Sequence, residues 1–502
     1  MPRYVMSHRR AGRFVLAEKV ASRAAMERSL LQVESLAAAN VLFDNAPADS
    51  TSRRIVVFEA EEADLAGIAA SAGEDVLIEP ELLRWPMTVV APPEFRTLQA
   101  GGAAAPAPTG TGLTFEITAR SGGQPLAHAN VTLYFQGVGG GMTFAEGEAD
   151  AAGRISFPHS PYWQPAAVVV TPYSGAWGTV VRGPSSPLVV ACDPLPAAAF
   201  TPWWQAALRV DSAVGDRGAG IRVGVCDTGA GPHANLTHVV DAGAFVGGGI
   251  VLGGGADVDS HGTHVSGIIG ARSPHVWLQG IAPGADLYVA RVFPPGGGAS
   301  QGDVAKAIDS LSKERACDLI NLSLGSPDGS DIEKDAVTDA FERGTLAICA
   351  AGNDGGAVLY PASYEKAVAI SALGRLGWGP ANASANLNIP QSSARFGDES
   401  LYLASFSCFG PEIDSAGPGV GIISTVPERH GLAAPRAEMS GTSMASPAVC
   451  GALAVLLAAD PTYSSLPRDS SRATAARSIL RKACTEIGLA AEFEGYGVPR
   501  TS

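Results

Sequence analysis

The chain has 502 residues, 46% of them apolar and 17% charged, with a formal net charge of −14. Because a single hydrophobic core seldom exceeds about 250–300 residues, this length predicts several domains. Binding to a phosphate backbone needs a basic face, whereas the acidic residues here are spread along the whole chain. We therefore expect no nucleic-acid partner.

Seven cysteines are scattered through the chain, at positions 192, 226, 317, 349, 408, 450 and 484. No C-x-x-C pair indicates zinc, and an odd count suits a reducing compartment. The basic first thirty residues lack the roughly 7–15 consecutive apolar residues of a signal peptide, and no later run reaches the ~18 needed to cross a membrane. We expect a cytoplasmic protein with no membrane partner, or a secreted one if a leader has been trimmed away.

The first domain is predicted over residues 1–92, where two strand–helix–strand units indicate a small ferredoxin-like α+β domain. Its predicted elements, in order, are the strand GRFVL, a helix from Glu18 to about Ala38, the strands NVLF and RRIVVF, a helix from Glu61 to about Ala72, and the strand DVLIEPELL. Residues 93–112 are rich in Pro, Ala and Gly, which predicts an extended, flexible linker.

Residues 113–195 change to short alternating runs separated by Gly, Pro and Asp turns, a pattern typical of a small β-sandwich. The runs are LTFEITA, NVTLYF, GRISF, AAVVV and GTVVRG. Nothing in this stretch concentrates His, Asp and Glu as a catalytic site would. We expect a spacer or docking module.

In residues 196–502, apolar strands alternate with helical segments such as 302–315 and 331–343. The clearest strands are IRVGVCD, DLYVARV, CDLINLSL, TLAICAAG and KAVAISAL. This alternation predicts an α/β domain with a parallel sheet covered by helices on both faces. In such sheets, functional sites form at the carboxyl ends of the strands.

Three polar residues stand at the ends of these elements. Asp227 ends the strand IRVGVC, His261 opens a helix in DSHGTHVSGIIGA, and Ser443 opens the apolar helix of SGTSMASPAVCGALAVLLAA. Taken alone, each favours a structural role, as a cap or a buried histidine. Together, in the order Asp, His, Ser, they favour a catalytic triad, because an Asp can orient an imidazole that takes the proton of a serine hydroxyl.

The chain resembles the subtilase family of subtilisin-like serine proteases over roughly residues 200–499. Five blocks in the same order carry the resemblance: VCDTGAG, HGTHVSG, NLSLG, AAGNDG and SGTSMASP. It implies a serine endopeptidase that acts on peptides or proteins through an acyl-enzyme. Ser443 would be the nucleophile, His261 the general base and then acid, and Asp227 the orienting carboxylate.

The same resemblance implies how substrate is held. Asn353 would bind the oxyanion with its side-chain amide, together with the backbone N–H of Ser443. An extended peptide would add a strand along the NLSLG block. The glycine of AAGNDG would let the backbone pass close to the substrate, and the aspartate of that block would lie at the pocket rim. The substrate-binding residues expected on this basis are Ser323, Leu324, Gly325, Gly352 and Asp354.

Two segments, RSPHVWLQGIAP and residues 374–400, depart from the family. The segment RSPHVWLQGIAP lacks the carboxylate and amide ligands that calcium needs, so we expect no metal there and no cofactor. His264 completes an H-x-x-H pattern without the glutamate of a zinc protease, so we expect a structural role for it. Residues 374–400 are an added polar stretch, which predicts a long surface loop. Whether this loop shapes the substrate entrance stays open at this point.

The first domain resembles the propeptide of the family, especially in VLIEPELL, so it would act as an intramolecular inhibitor or chaperone. Its tail would either reach the cleft and be cut, or remain as a permanent partner. Two alternatives to an endopeptidase stay open at this point. One is a peptide ligase or dedicated maturation protease that uses the same acyl-enzyme, and the other is a catalytically dead peptide-binding scaffold.

Overall fold

The computed structural model describes residues 1–9, 16–36, 39–45, 53–89, 91, 95, 113–197, 201–275 and 278–502. Of the predicted linker at 93–112, only Phe95 lies within the described residues. The predicted domain boundaries stay predictions. Below, residues 1–80 are called the N-terminal unit, 113–191 the two-sheet unit and 201–502 the C-terminal unit.

The N-terminal unit has a four-stranded antiparallel sheet, with the second strand at one edge, followed by the third, the first and the fourth. Its strands are Arg3–His8, Asn40–Asp44, Ile55–Glu59 and Val76–Pro80, and its helices are Leu16–Ser35 and Leu65–Ala72. The predicted first strand, GRFVL, is wrong at Leu16, which begins a helix, and its other residues lie outside the described ones. The first strand is instead Arg3–His8.

Both faces of this N-terminal sheet are buried, because its side chains alternate between two hydrophobic clusters. Tyr4 and Phe58 pack in a cluster with the two helices. Val5, Val57 and their neighbours Ile55 and Leu77 pack in a cluster that belongs to the C-terminal unit. The sheet therefore lies between its own helices and the rest of the protein.

The two-sheet unit consists of two four-stranded sheets around one cluster of buried side chains. The first sheet contains Arg154–His159, Leu113–Ser121, Leu188–Ala191 and the short strand Gln124–Pro125. The second contains Thr179–Arg182, Trp163–Thr171, Asn130–Gly137 and Met142–Glu148. Phe115 and Ile117 of the first sheet share the cluster with Val131 and Val168 of the second.

The C-terminal unit contains a nine-stranded sheet in which all neighbours are parallel except for Gly249–Val251 and Leu401–Leu403. Across the sheet the strands are Gly249–Val251, Val240–Val246, Asp286–Arg291, Arg222–Asp227, Leu319–Leu322, Leu346–Ala350, Ala367–Arg375 and Leu401–Leu403, with Ile413–Pro418 also paired to Ala367–Arg375. The predicted parallel sheet is confirmed.

Helices cover both faces of this sheet, each over its own hydrophobic cluster. One face carries His261–Gly270, Thr442–Ala459 and Ser470–Ala483. The other carries Gln301–Asp309, extended by the turn Ser310–Glu314, and Asp331–Glu342. Short strands complete the unit: Ala299–Ser300, Leu324–Gly325, Ile422–Thr425, Arg436–Met439, Cys484–Thr485 and Val498–Pro499.

Among the described residues, one helix, Thr442–Ala459, is long and apolar enough to cross a membrane by length and composition. In the folded chain, 78% of that helix is buried inside the protein. It packs against the central sheet and the helix His261–Gly270. Its apolar sequence therefore matches its place in the core.

Most residues of the added stretch 374–400 are exposed or half-buried, as in the predicted surface loop, and the stretch also contacts the two-sheet unit. The backbone N–H of Ser384 donates to the carbonyl of Gly178 at 2.8 Å, and the N–H of Val180 donates to the carbonyl of Asn382 at 3.1 Å. The ring of Trp378 meets that of Trp177 edge to face, with centroids 5.5 Å apart. The loop is thus partly buried by a neighbouring unit.

Candidate active site

Asp227 and His261 form a buried pair at the carboxyl end of the central strand. Asp227 is the last residue of Arg222–Asp227, and His261 is the first residue of His261–Gly270. The His261 Nδ1 lies 2.6 Å from Asp227 Oδ1, and both side chains are at most 2% exposed. Burial by itself lowers the pKa of His261, but the Asp227 carboxylate more than offsets this, so the pKa is raised above 6.5. Nε2 of His261 has no hydrogen-bond partner among the described residues and is left to act on a substrate.

Ser443 lies in the first turn of Thr442–Ala459 and is fully buried. Its side chain does not cap the helix, whose preceding residue is Gly441. Instead, Ser443 Oγ donates to the carbonyl of Ser323 at 2.9 Å and accepts from the backbone N–H of Met87 at 2.8 Å. The hydroxyl is therefore hydrogen-bonded to the backbone of Ser323 and Met87, and it does not cap its own helix.

Asn353 is held with its amide nitrogen free. Its Oδ1 accepts from the backbone N–H of Thr442 at 3.0 Å and from Thr442 Oγ1 at 2.8 Å. Its Nδ2 is buried and has no partner in the described part of the chain. With the oxygen fixed on the residue next to Ser443, the amide leaves a free donor at the site where an oxyanion would form.

At Gly352 the need for glycine has a different physical cause from the one expected. This residue has φ +116°, and an added Cβ would lie 2.6 Å from Leu359 Cγ and 2.9 Å from Cys408 Sγ. A larger residue at this position is thus excluded by packing against Leu359 and Cys408, which supply the three nearest atoms. Asp354 is among the residues that line the cleft described below, and its binding role stays a prediction.

A cleft of about 640 Å³ is lined by His261, Asn353 and Asp354, and also by a piece of the same chain. We call residues 83–89 the cleft segment. Its strand Leu83–Pro86 pairs antiparallel with Leu324–Gly325 on one side and with Ala299–Ser300 on the other. The expected addition of a strand along the NLSLG block is therefore made by this chain itself.

The cleft segment continues past Ser443 in a regular pattern of backbone hydrogen bonds. The N–H of Met87 also lies 3.3 Å from the carbonyl of Ser323, and the N–H of Ser443 donates to the carbonyl of Met87 at 3.2 Å. Two residues further, the N–H of Val89 donates to the carbonyl of Ser440 at 2.8 Å. The carbonyl of Met87 thus lies against Ser443 and accepts a hydrogen bond from the Ser443 N–H. The Asn353 amide nitrogen is a second donor that has no other partner among the described residues.

Sequence reasoning missed several residues of this site. Met87, Ser440 and Gly441 contact the reacting region through backbone atoms, and backbone contacts leave little trace in residue type. An added Cβ at Gly441 would collide with the carbonyl oxygen of Met87, so the glycine of SGTS was the signal that could have been used.

His264 has the structural environment that its pattern predicts. Its Nε2 lies 3.1 Å from the carbonyls of Ile422 and Ala437, and burial lowers its pKa to about 3. The described residues contain no group of three or more His, Cys, Asp or Glu side chains that could hold a metal. The predicted absence of calcium from residues 272–283 stays a prediction, since 276 and 277 lie outside the described residues.

A strand-end aspartate paired to a histidine, and a serine whose hydroxyl bonds to the backbone of an extended segment, are the groups of a serine hydrolase of peptides; among the described residues, Nε2 of His261 makes no hydrogen bond to Ser443. Residues 218–497 match the model of the subtilase family. Subtilisin DY of Bacillus licheniformis is 32% identical over 282 residues, which cover 55% of this chain and 88% of that protein.

Two further relatives agree with this match. Subtilisin Savinase of Lederbergia lenta is 32% identical over 272 residues, covering 54% of this chain and 86% of the relative. The minor extracellular protease Epr of Bacillus subtilis is 31% identical over 302 residues, which cover 59% of this chain and 40% of that protein. The chain belongs to the subtilase family, and it is a subtilisin-like serine endopeptidase.

Proposed function

We propose that this endopeptidase uses Asp227, His261 and Ser443 as its triad, and that its own cleft segment occupies the site as a substrate would. The observation that carries the proposal is the position of Met87. Its N–H bonds to the Ser443 hydroxyl, and its carbonyl accepts from the Ser443 N–H. Met87 is then the residue whose carbonyl is attacked, and Met87–Thr88 is the bond that is cut.

The reaction follows from these contacts. Nε2 of His261 takes the Ser443 proton while Oγ adds to the Met87 carbonyl carbon. The developing oxyanion is bound by the Ser443 N–H and the Asn353 amide. His261 then gives its proton to the Thr88 nitrogen, the amine leaves, and water hydrolyses the acyl-enzyme. The raised pKa of His261 makes it a good acceptor, since the imidazolium is stabilised by Asp227.

The N-terminal unit acts in this proposal as an intramolecular inhibitor with a ferredoxin-like fold. The fold assignment is supported by the strand order and by the two helices on one face. Inhibition is supported by the anchors of the cleft segment. Gln301 holds the residues that lead into it: its Oε1 accepts from the Leu82 N–H at 2.8 Å, and its Nε2 donates to the Pro80 carbonyl at 2.7 Å.

We also propose that the two-sheet unit is a β-sandwich that serves as a docking module on the far side of the cut bond. Its support is the pair of facing sheets and the contact of Phe95 with Tyr134, whose rings stack at 4.5 Å. Seven cysteines with free thiols support a reducing, cytoplasmic location.

The test is to incubate the purified full-length chain beside Ser443→Ala and to follow both by intact mass. The wild-type chain should separate into two fragments, with Thr88 as the new N-terminus, and the variant should stay whole. A wild-type chain that stays whole would replace self-cleavage by permanent inhibition, in which the cleft segment also shields Ser443 from a fluorophosphonate. A cleaved chain that a fluorophosphonate does not label, or labelling that persists without Ser443 or His261, would contradict the assignment of the triad.

A second candidate function, peptide ligation, is favoured by one observation: both sides of Met87–Thr88 are anchored. Val89 is held by Ser440, while Ala91 and Phe95 pack in a cluster of the two-sheet unit. The Thr88 amine would therefore stay beside the acyl-enzyme and compete with water. A cut chain weighs one water more than an intact or resealed one, so the time course of that mass difference separates the two outcomes.

A further inference from the structure

Arg84, in the cleft segment, is fully buried against a carboxylate of the C-terminal unit. Its Nε lies 3.0 Å from Glu333 Oε1, and its Nη2 lies 2.9 Å from Glu333 Oε2. Both side chains are 0% exposed. This is a bidentate contact, the geometry in which a planar guanidinium matches a carboxylate.

Glu333 is fully buried, with a tyrosine hydroxyl against its carboxylate. It lies in the first turn of Asp331–Glu342, and the Tyr364 hydroxyl is 3.0 Å from its Oε2. The helix that carries Glu333 packs in the apolar cluster on this face of the sheet, which includes Leu322, Leu324 and Ile332. Burial by itself lowers the pKa of Arg84, but Glu333 raises it, so the guanidinium stays charged.

The register of the cleft segment sets where this contact falls along a substrate. Arg84 pairs with Ala299 and lies three residues before Met87, at the position that protease nomenclature calls P4 when Met87 is P1. Of the side chains around it, Leu83 and Trp85 are 41% and 42% exposed, whereas Arg84 and Met87 are buried. Of these four side chains, the protein buries two, those at P1 and at P4.

We propose that Glu333, with Tyr364, forms a guanidinium-binding subsite that makes this endopeptidase selective for peptides with arginine at P4. When the cleft segment leaves, Glu333 loses the guanidinium that pairs with it, and removing one partner of a buried ion pair is strongly unfavourable. A substrate arginine restores the pair. A lysine brings the charge without the planar fork and pairs less well, and a neutral side chain leaves the carboxylate unpaired.

The inference rests on the proposed function, because it needs a peptide that is cut after Met at P1. The full-length chain is allowed to cleave itself and is used with both fragments present, because any remaining inhibition by the N-terminal fragment lowers the rates on all peptides by the same factor. We then measure kcat/KM on the peptide Arg-Trp-Pro-Met-Thr-Val and on versions with lysine or citrulline at P4. Citrulline keeps the shape of arginine without its charge. Arginine should exceed citrulline by about 30- to 5,000-fold, the range for truncating one partner of a buried charge pair.

Glu333→Gln is the variant that identifies the subsite. It should reduce kcat/KM on the arginine peptide to about the citrulline level and leave the citrulline peptide within about threefold, which also reports correct folding. Glu342→Gln, at the exposed far end of the same helix, is the matched control and should change neither. Equal rates on arginine and citrulline by an active chain would overturn this inference alone. A wild-type chain that cuts none of the peptides would overturn the proposed function together with it.

Discussion

The docking of the N-terminal unit depends on Arg53, which joins two helices of the C-terminal unit. Its Nε lies 2.9 Å from Asp309 Oδ2, its Nη2 lies 2.6 Å from Asp339 Oδ2, and its side chain is 4% exposed. Removing one partner of a buried ion pair costs about 3–5 kcal/mol. Here Asp309 keeps Arg343 at 2.9 Å and Asp339 is 22% exposed, so we expect about 2–4 kcal/mol for Arg53→Met.

This cost should appear as easier release of the cleft segment. On a Ser443→Ala background, which keeps the chain whole, Arg53→Met should speed amide hydrogen exchange of the cleft segment by about 30- to 1,000-fold. Methionine keeps the aliphatic packing of the arginine stem. Arg3→Met removes the same charge from an exposed pair with Glu59 and should change exchange by less than about fivefold. Equal, small effects of the two substitutions would refute the role given to Arg53.

Three further outcomes are expected. Asn353→Ala should lower kcat by about 10²- to 10³-fold with little change in KM, a magnitude carried over from the corresponding donor of a subtilisin; a loss confined to KM would argue against an oxyanion donor. Because Asp227 raises the pKa of His261 and only the neutral imidazole accepts a proton, kcat/KM should fall as the pH drops through a value above 6.5, and a pH profile still flat at pH 6 would contradict this. Gly441→Ala should reduce kcat/KM by at least about 10²-fold, since its Cβ would push the Met87 carbonyl away from Ser443; unchanged peptide turnover would show that a substrate lies elsewhere.

The sequence motifs predicted the central fold well because the signals are local. Arg222–Asp227, Leu346–Ala350 and the other buried parallel strands are continuous apolar runs, and such runs are readable without knowing their neighbours. The strand Arg3–His8 was missed for the opposite reason. Its apolar residues are few and stand among basic ones, and its two faces are buried by different units of the protein.

The active-site prediction divides in the same way. Asp227, His261 and Ser443 stand out because each lies at the end of an element in a motif of characteristic composition. Arg84 and Glu333 do not, since they are 249 positions apart and each looks like an ordinary surface charge in its own surroundings. A sequence of isolated charges does not indicate which two will meet in an apolar interior.

The sequence by itself determined which groups are available for chemistry and at which ends of strands and helices they stand, because the covalent order dictates local structure. Only the tertiary structure decided what fills the cleft: residues 83–89 reach it because the N-terminal unit packs on Gln301–Asp309 and Asp331–Glu342. Backbone hydrogen bonds then hold the peptide of Met87 against Ser443. Such bonds are common to all residue types, so the contact between Met87 and Ser443 depends on the placement of the chain and not on the side chain of Met87.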